Sequence, residues 1–173
     1  VFAQNFTGEI AVYNLNRVEG VAGWTRFETN GSFHSVTAIG NRVFAVIKTN
    51  LGSGTNSFVF TELNQNVSLD LGNTYSGSNG VFTVSNFFEN GAQVDVISAT
   101  DYLGKFTVSG GQIDVSAVDA SLSSCQVGFG FDVELKTNPI DVSTGIGPET
   151  GQPRTLSRVI LDLSETLSVS VNN

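Results

Sequence analysis

Methionine is missing from the 173-residue chain, and cysteine, histidine and tryptophan each occur once. With Cys125 alone, no internal disulfide can form and no cysteine-built metal site is possible. One histidine and one cysteine leave only carboxylates as further zinc ligands, which nearly excludes such a site. Charged residues are scarce, at 14%, well below the globular norm. The Glu, Lys and Arg that long surface helices need are therefore in short supply. No uninterrupted apolar run reaches the length of about 18 residues that a spanning helix needs. No basic segment leads into a short hydrophobic one, so an export signal is not expected either. A start at Val1 without any methionine points to a piece of a longer reading frame.

What is present is apolar, small and β-branched. Hydrophobic residues make up 40% of the chain, with 19 glycines. That composition supports a packed core and favours short strands with tight turns, so the predicted class is all-β. The net charge of −8 is uneven. Residues 1–79 hold four Lys/Arg against five Asp/Glu, whereas residues 80–173 hold four against eleven. Such a surface repels phosphate and lacks the clustered cations of a nucleic-acid footprint.

Apolar alternation places strands over 9–14 and 20–27, then over 32–39 and 43–49 with a Gly-Asn turn between them. In the 32–39 segment Phe33, Ser35, Thr37 and Ile39 share one face, and His34, Val36 and Ala38 the other. Both faces are partly apolar, as in a strand packed on two sides. A further strand is expected at 57–63, giving an antiparallel meander or propeller-blade-like sheet. The turn-rich, nearly uncharged stretch 71–80 is the expected boundary between a domain over 1–75 and an acidic β-sandwich or small barrel over 76–173. Strands in the second part are predicted over 81–87, 92–98, 104–110, 112–117, 125–137, 154–164 and 166–172, with a hairpin at Gly110-Gly111.

The order of several short segments resembles one family. From Tyr13 to Asp70 the chain presents Tyr-Asn, then Gly-Trp-Thr-Arg at 23–26. A T-x-G-x-F-x-S-V strand starting at Thr29 follows, then a V-x-V-I strand, Glu-Leu-Asn at 62–64 and Leu69-Asp70. TVSGGQIDVS, QVGFGFDVELKTNPID and RTLSRVILDL follow in the same order as that family's later segments. This series is similar to the tail tubular protein B, or nozzle, family of short-tailed bacteriophages, and the matches span most of residues 13–163. Two departures stand out. Phe129, Gly130 and Phe131 replace the family's Leu-Pro-Tyr, and its basic pair is thinned to Arg154 and Arg158. The resemblance implies a virion structural protein made in the host cytoplasm, forming a ring of copies below the portal and adaptor proteins. DNA would pass through such a ring without specific binding.

Residues with chemical potential have ordinary readings beside the reactive ones. Asp95, Asp114, Asp132 and Glu134 on strands could supply a pair of carboxylates for glycoside hydrolysis. Their alternation with apolar neighbours instead marks the wet faces of strands, and that reading is preferred. His34 has no G-x-S-x-G elbow to serve, and Cys125 in an apolar alternation reads as a small buried hydrophobe. The glycine-rich 52–56 and 143–151 loops lack the Lys-Ser/Thr ending of a phosphate loop. No catalytic, cofactor or metal residue is therefore expected.

Three functions remain in order of preference: a tail structural protein, a sugar- or receptor-binding β-sandwich of a fibre or adhesin, and a glycosidase. The second would need exposed aromatics, for which Trp24, Tyr13, Tyr75 and Tyr102 are the candidates. Trp24 is expected to be buried against Phe33 and the 43–47 strand. The loop 138–153, which contains Pro139, Pro148 and Pro153, is expected to be long and irregular and to be fixed by a partner.

Overall fold

Antiparallel hairpins between neighbouring strands build most of the described fold. A computed structural model describes residues 2–5, 7–16, 18, 20–135, 143–144, 147–148, 160–162 and 169–170. The first sheet joins β1 (Phe2–Gln4), β2 (Ile10–Asn16) and β3 (Val21–Phe27) in antiparallel order. The second is a meander of β4 (Ser32–Ile39), β5 (Arg42–Asn50) and β6 (Asn56–Glu62), turned at Gly40 with a φ of 64°. The strands lie close to where alternation put them, but they form two three-stranded sheets rather than the one blade-like meander expected.

The third sheet is a six-stranded, barrel-like layer. It uses β7 (Asp70–Ser78), β8 (Val81–Thr83), β9 (Gln93–Ile97), β10 (Tyr102–Thr107), β11 (Gln112–Asp114) and β12 (Ser124–Phe129). Their spatial order is β10-β9-β12-β7-β8-β11. The two outermost strands are consecutive in sequence, joined at Gly110-Gly111 with a Ser109–Gln112 bridge, so the sheet nearly closes on itself. The one helical element among the described residues is a single turn, α1 (Ser116–Asp119). It starts where Asp114 Oδ1 accepts the Ser116 N–H at 2.9 Å, an aspartate turn that ends β11 early. The all-β expectation therefore holds.

The expected turn-rich boundary is instead a strand. Residues 70–78 form β7, at the centre of the barrel-like sheet and paired with both β12 and β8. Its glycines are there for close approach rather than for turning. A Cβ on Gly72 would lie 2.7 Å from Val67 and 2.8 Å from the Leu69 carbonyl, and one on Gly77 would run into the Val81 carbonyl. The turn is shorter and later, at Asn79-Gly80, where φ values of 52° and 73° make the two-residue geometry that fits a hairpin. Two other strands stop short of expectation. β8 ends at Thr83, and Val84 accepts the Phe87 and Phe88 N–H groups in a turn. β12 ends at Phe129 because the Gly130 N–H is taken by Asp95 rather than by a strand partner.

One buried cluster unites the three sheets. It runs from Ile10, Phe33, Ile47 and Val59 to Phe82, Val94, Val96, Ile113 and Val127. Phe88 lies edge-on to Phe129 at 5.6 Å between ring centres. Residues 1–131 form one compact unit and residues 132–173 a second. In the second, β13 (Ser143–Thr144) pairs with β14 (Gly147–Pro148), a short hairpin inside the expected 138–153 loop. The rest of that loop and most of the strands expected over 154–164 and 166–172 lie outside the described residues. No described helix is long and apolar enough to cross a membrane.

Candidate interaction surfaces

The chemistry-bearing side chains lie apart. Cys125 faces the core, and burial pushes its thiol up to about 11, far from a reactive thiolate. His34 is exposed at a register shift in β4, edge-on to Phe58 at 5.2 Å. Asp114 is exposed on β11; the Ser116 hydrogen bonds that it accepts hold it below the usual carboxylate range. Asp132 and Glu134 are exposed in the second unit. Among the described residues no group of His, Cys, Asp or Glu is placed to hold a metal ion.

Asp95 is the exception to the wet-face reading of the strand carboxylates. It is 4% exposed in the middle of β9, and three groups hold it. Its Oδ1 accepts the Tyr102 hydroxyl at 2.6 Å, and its Oδ2 accepts the Gly130 N–H at 2.8 Å. The Lys105 ammonium lies 3.7 Å away. The hydrogen bond to Asp95, with some burial, pushes the Tyr102 phenol above its ordinary pKa. A buried carboxylate so fully partnered is an anchor for the end of β12. Asp95 and Lys105 line a hollow of about 470 Å³ that includes Gln93, Asn30 and Asn50. A polar hollow of about 340 Å³ beside it is lined by Asn30, Ser32, Lys48, Asn50 and Asn56.

Asn30 belongs to the tightest joint in the fold. The Asn30 N–H donates to Asp70 Oδ2 at 2.6 Å, and the Thr29 hydroxyl donates to the same carboxylate at 2.8 Å. From the other side the buried Thr49 hydroxyl donates to the Asn30 carbonyl. Gly31, with a φ of 154°, lies so close to the β5 backbone at Lys48 that a Cβ could not be accommodated. The glycine-rich 52–56 loop is likewise structural: Asn50 Oδ1 accepts the Gly52 and Gly54 N–H groups at 2.9 and 3.1 Å.

Two apolar faces are left open. On β2 and β3, Tyr13 lies opposite Trp24 with ring centres 4.8 Å apart, and the indole is 65% exposed. The expected burial of Trp24 is therefore overturned. Phe33 enters the core beneath β4, while Tyr13 and Trp24 lie on the side of their sheet opposite Ile10, the β2 residue that enters the core. Tyr75 is buried rather than displayed, and Tyr102 is half-exposed against Asp95. The second face covers β5 and β6, where Phe58 and Phe60 are 62% and 71% exposed. Phe60 stacks on Phe44 at 5.5 Å, and the Arg42 guanidinium sits 4.9 Å above the Phe44 ring. The 32–39 strand, expected to be packed on two sides, is covered on one side only: Phe33 is buried, while His34, Ala38 and Ile39 are exposed.

Compared with known proteins, the chain matches no family model, no curated protein and no solved structure.

Proposed function

We propose that this chain is a structural component of a bacteriophage virion, a piece of the tail tube or nozzle that forms the DNA conduit below the portal. One observation carries the reading: the segments that resemble the nozzle family are spent on joints and surfaces rather than on a reaction centre. Thr29, Gly31 and Phe33 make the clamped turn and its core anchor, and Leu69-Asp70 closes that turn from β7. Gly128 lets β12 cross β7, since a Cβ there would lie 2.7 Å from Gly72 and Leu69. Exposed aromatic rows and strand edges are the material of subunit contacts in closed rings. The charge of −8 suits a conduit that must not grip a polyanion in transit. Mass spectrometry and electron microscopy of particles purified from the source should place the protein in the tail, as a ring of copies. Its absence from the particles would sink the reading.

A sugar- or receptor-binding module is the second reading, favoured by the exposed Trp24 beside Tyr13. An exposed indole offers its face to the apolar side of a pyranose, here with the Tyr13 ring tilted at 43° beside it. A glycan-binding screen with Trp24→Ala as control tests it: binding lost in the variant would move this reading ahead.

A further inference from the structure

The end of the second sheet carries a polar hollow, and register fixes what faces it. Ser32, Lys48 and Phe58 are cross-strand partners, as are Asn50 and Asn56, so alternation puts all five on the outer face of β4, β5 and β6. Ser32, Lys48, Asn50 and Asn56, with Asn30 from the preceding turn, line a space of about 340 Å³. Phe58 stands at its rim, 62% exposed. The volume falls within the range of about 300–1,000 Å³ of small-molecule sites.

Its walls are fixed and its side chains are uncommitted. The Asn30 backbone is held on one side by Asp70 and on the other by the Thr49 hydroxyl. Asn50 Oδ1 accepts the Gly52 and Gly54 N–H groups, which leaves its own amide N–H donors without a partner among the described residues. Among those residues the Asn30 and Asn56 side-chain amides likewise make no hydrogen bond, and Lys48 has no carboxylate in ion-pair range. No carboxylate is among the described lining residues, so a single positive charge stands there in a chain of net charge −8. The hollow shares Asn30 and Asn50 with the one of about 470 Å³, where Gln93 and Lys105 lie beside the already partnered Asp95.

We propose that this hollow binds an acidic polysaccharide. A uronate carboxylate would meet Lys48, hydroxyls would meet the Asn30, Asn50 and Asn56 amides, and a sugar ring would lie against Phe58. Amides bring donors and acceptors together, which is the combination that neighbouring hydroxyls match. An ammonium is a point charge suited to one carboxylate, and an exposed aromatic ring covers the apolar face of a pyranose. A phosphate site would instead show an arginine fork or a helix N-terminus, and no arginine is among the described residues lining either hollow. A protein partner would meet an apolar centre rather than a row of amides. Continuation into the second hollow, where Lys105 is the next cation, favours a chain of sugars over a single one. The inference rests on the sugar-binding reading for its class of ligand, but on residues other than Trp24 and Tyr13, and it holds whether or not the chain sits in a tail.

Calorimetric titration of the full chain with oligosaccharides of polygalacturonate, alginate and hyaluronan tests this, with maltohexaose and inorganic phosphate as controls. At least one acidic oligosaccharide should bind, less tightly at higher salt, and maltohexaose should bind far more weakly. Lys48→Gln should weaken the acidic oligosaccharide about tenfold or more, the loss of one charge-assisted hydrogen bond. Asn56→Ala and Phe58→Ala should each weaken it as well. All three sites are exposed, so the fold should survive, and an unchanged thermal melt checks that. Binding to none of the acidic oligosaccharides overturns the inference. Binding that Trp24→Ala removes and Lys48→Gln spares also overturns it, while the sugar-binding reading stands at Trp24. Inorganic phosphate binding as tightly as the oligosaccharides would mark a plain anion site and overturn the polysaccharide as ligand.

Discussion

Asp70 and Asn30 lie forty residues apart, and the Asn30 N–H meets Asp70 Oδ2 at 2.6 Å. The Thr29 hydroxyl joins the same carboxylate, so one side chain fixes the passage from the first sheet to the second. It does so from the first residue of the barrel-like sheet. Leu71, the next residue, has a φ of 51°, a conformation that a branched side chain adopts at a cost. It sits where the β7–β12 register shifts, and the Asp70 bonds secure that distortion in place.

Asp70→Ala should therefore destabilise the protein by about 2 kcal/mol, the range for losing charge-assisted bonds from a partly buried site. Asp70→Asn keeps one acceptor and should cost less. Urea unfolding of the two variants checks the order. Equal stability of Asp70→Ala and the parent would mean that the clamp is ornamental.

Much of this architecture could be read from alternation and turn chemistry. The 32–50 hairpin, β9 and the Gly110-Gly111 hairpin fall where apolar periodicity and glycine pairs put them. β7 was illegible because its core contacts come from Leu71 and Tyr75, four apart, and its glycines look like turn residues while serving close packing. The Asn79-Gly80 pair was the local signal that could have found it. Trp24 misled for a different reason. Burial of an aromatic depends on which side of its sheet is covered, and alternation alone does not reveal that. Asp95 looked like any other wet-face carboxylate. Tyr102 is seven residues away across the β9–β10 hairpin, but Gly130 is thirty-five away and only the fold brings it to Asp95.

Tyr75 carries a buried hydroxyl with no hydrogen-bond partner. Tyr75→Phe should consequently be neutral or raise stability, by about 1 kcal/mol, because the folded state no longer desolvates an unpaired hydroxyl. Burial, with a lesser contribution from Cys125, pushes the phenol up to about 12, and burial pushes the Cys125 thiol up to about 11. Both groups hold their protons more tightly folded than unfolded. Their contribution is complete below the ordinary values of 9.0 and 10.0 and is lost as pH climbs through about 11 and about 12. Thermal melts should thus fall steeply between pH 9 and 12 in the parent and less steeply in Tyr75→Phe. Parallel curves for the two proteins would contradict the assignment.

Trp24→Ala should cost less than about 1 kcal/mol, as at other exposed sites away from the core. The lost Tyr13 contact is the main component. Because this is the chain's one tryptophan, its fluorescence reads the site cleanly: acrylamide should quench it efficiently in the free chain. A shielded indole in the free chain would restore the buried placement that the sequence suggested.

Asp95 and Asp114 are both strand carboxylates, yet their substitutions should differ. Asp114→Asn changes an exposed side chain whose main bond is to the next turn, and Asn can accept that Ser116 N–H equally well. Stability should scarcely move. Asp95→Ala instead strips the Tyr102 hydroxyl, the Gly130 N–H and the Lys105 ammonium of their common partner. A loss of about 2 kcal/mol is expected, moderated because Tyr102 is half-exposed and can turn to water. The same variant should return the Tyr102 phenol toward its ordinary value, since the hydrogen bond to Asp95 is the largest cause of its rise. Ultraviolet titration of tyrosinate in the two proteins measures that directly. A glycosidase would behave otherwise, losing hydrolysis in Asp114→Asn at unchanged stability, so activity on any polysaccharide that disappears in that variant would reverse the roles assigned to these two residues.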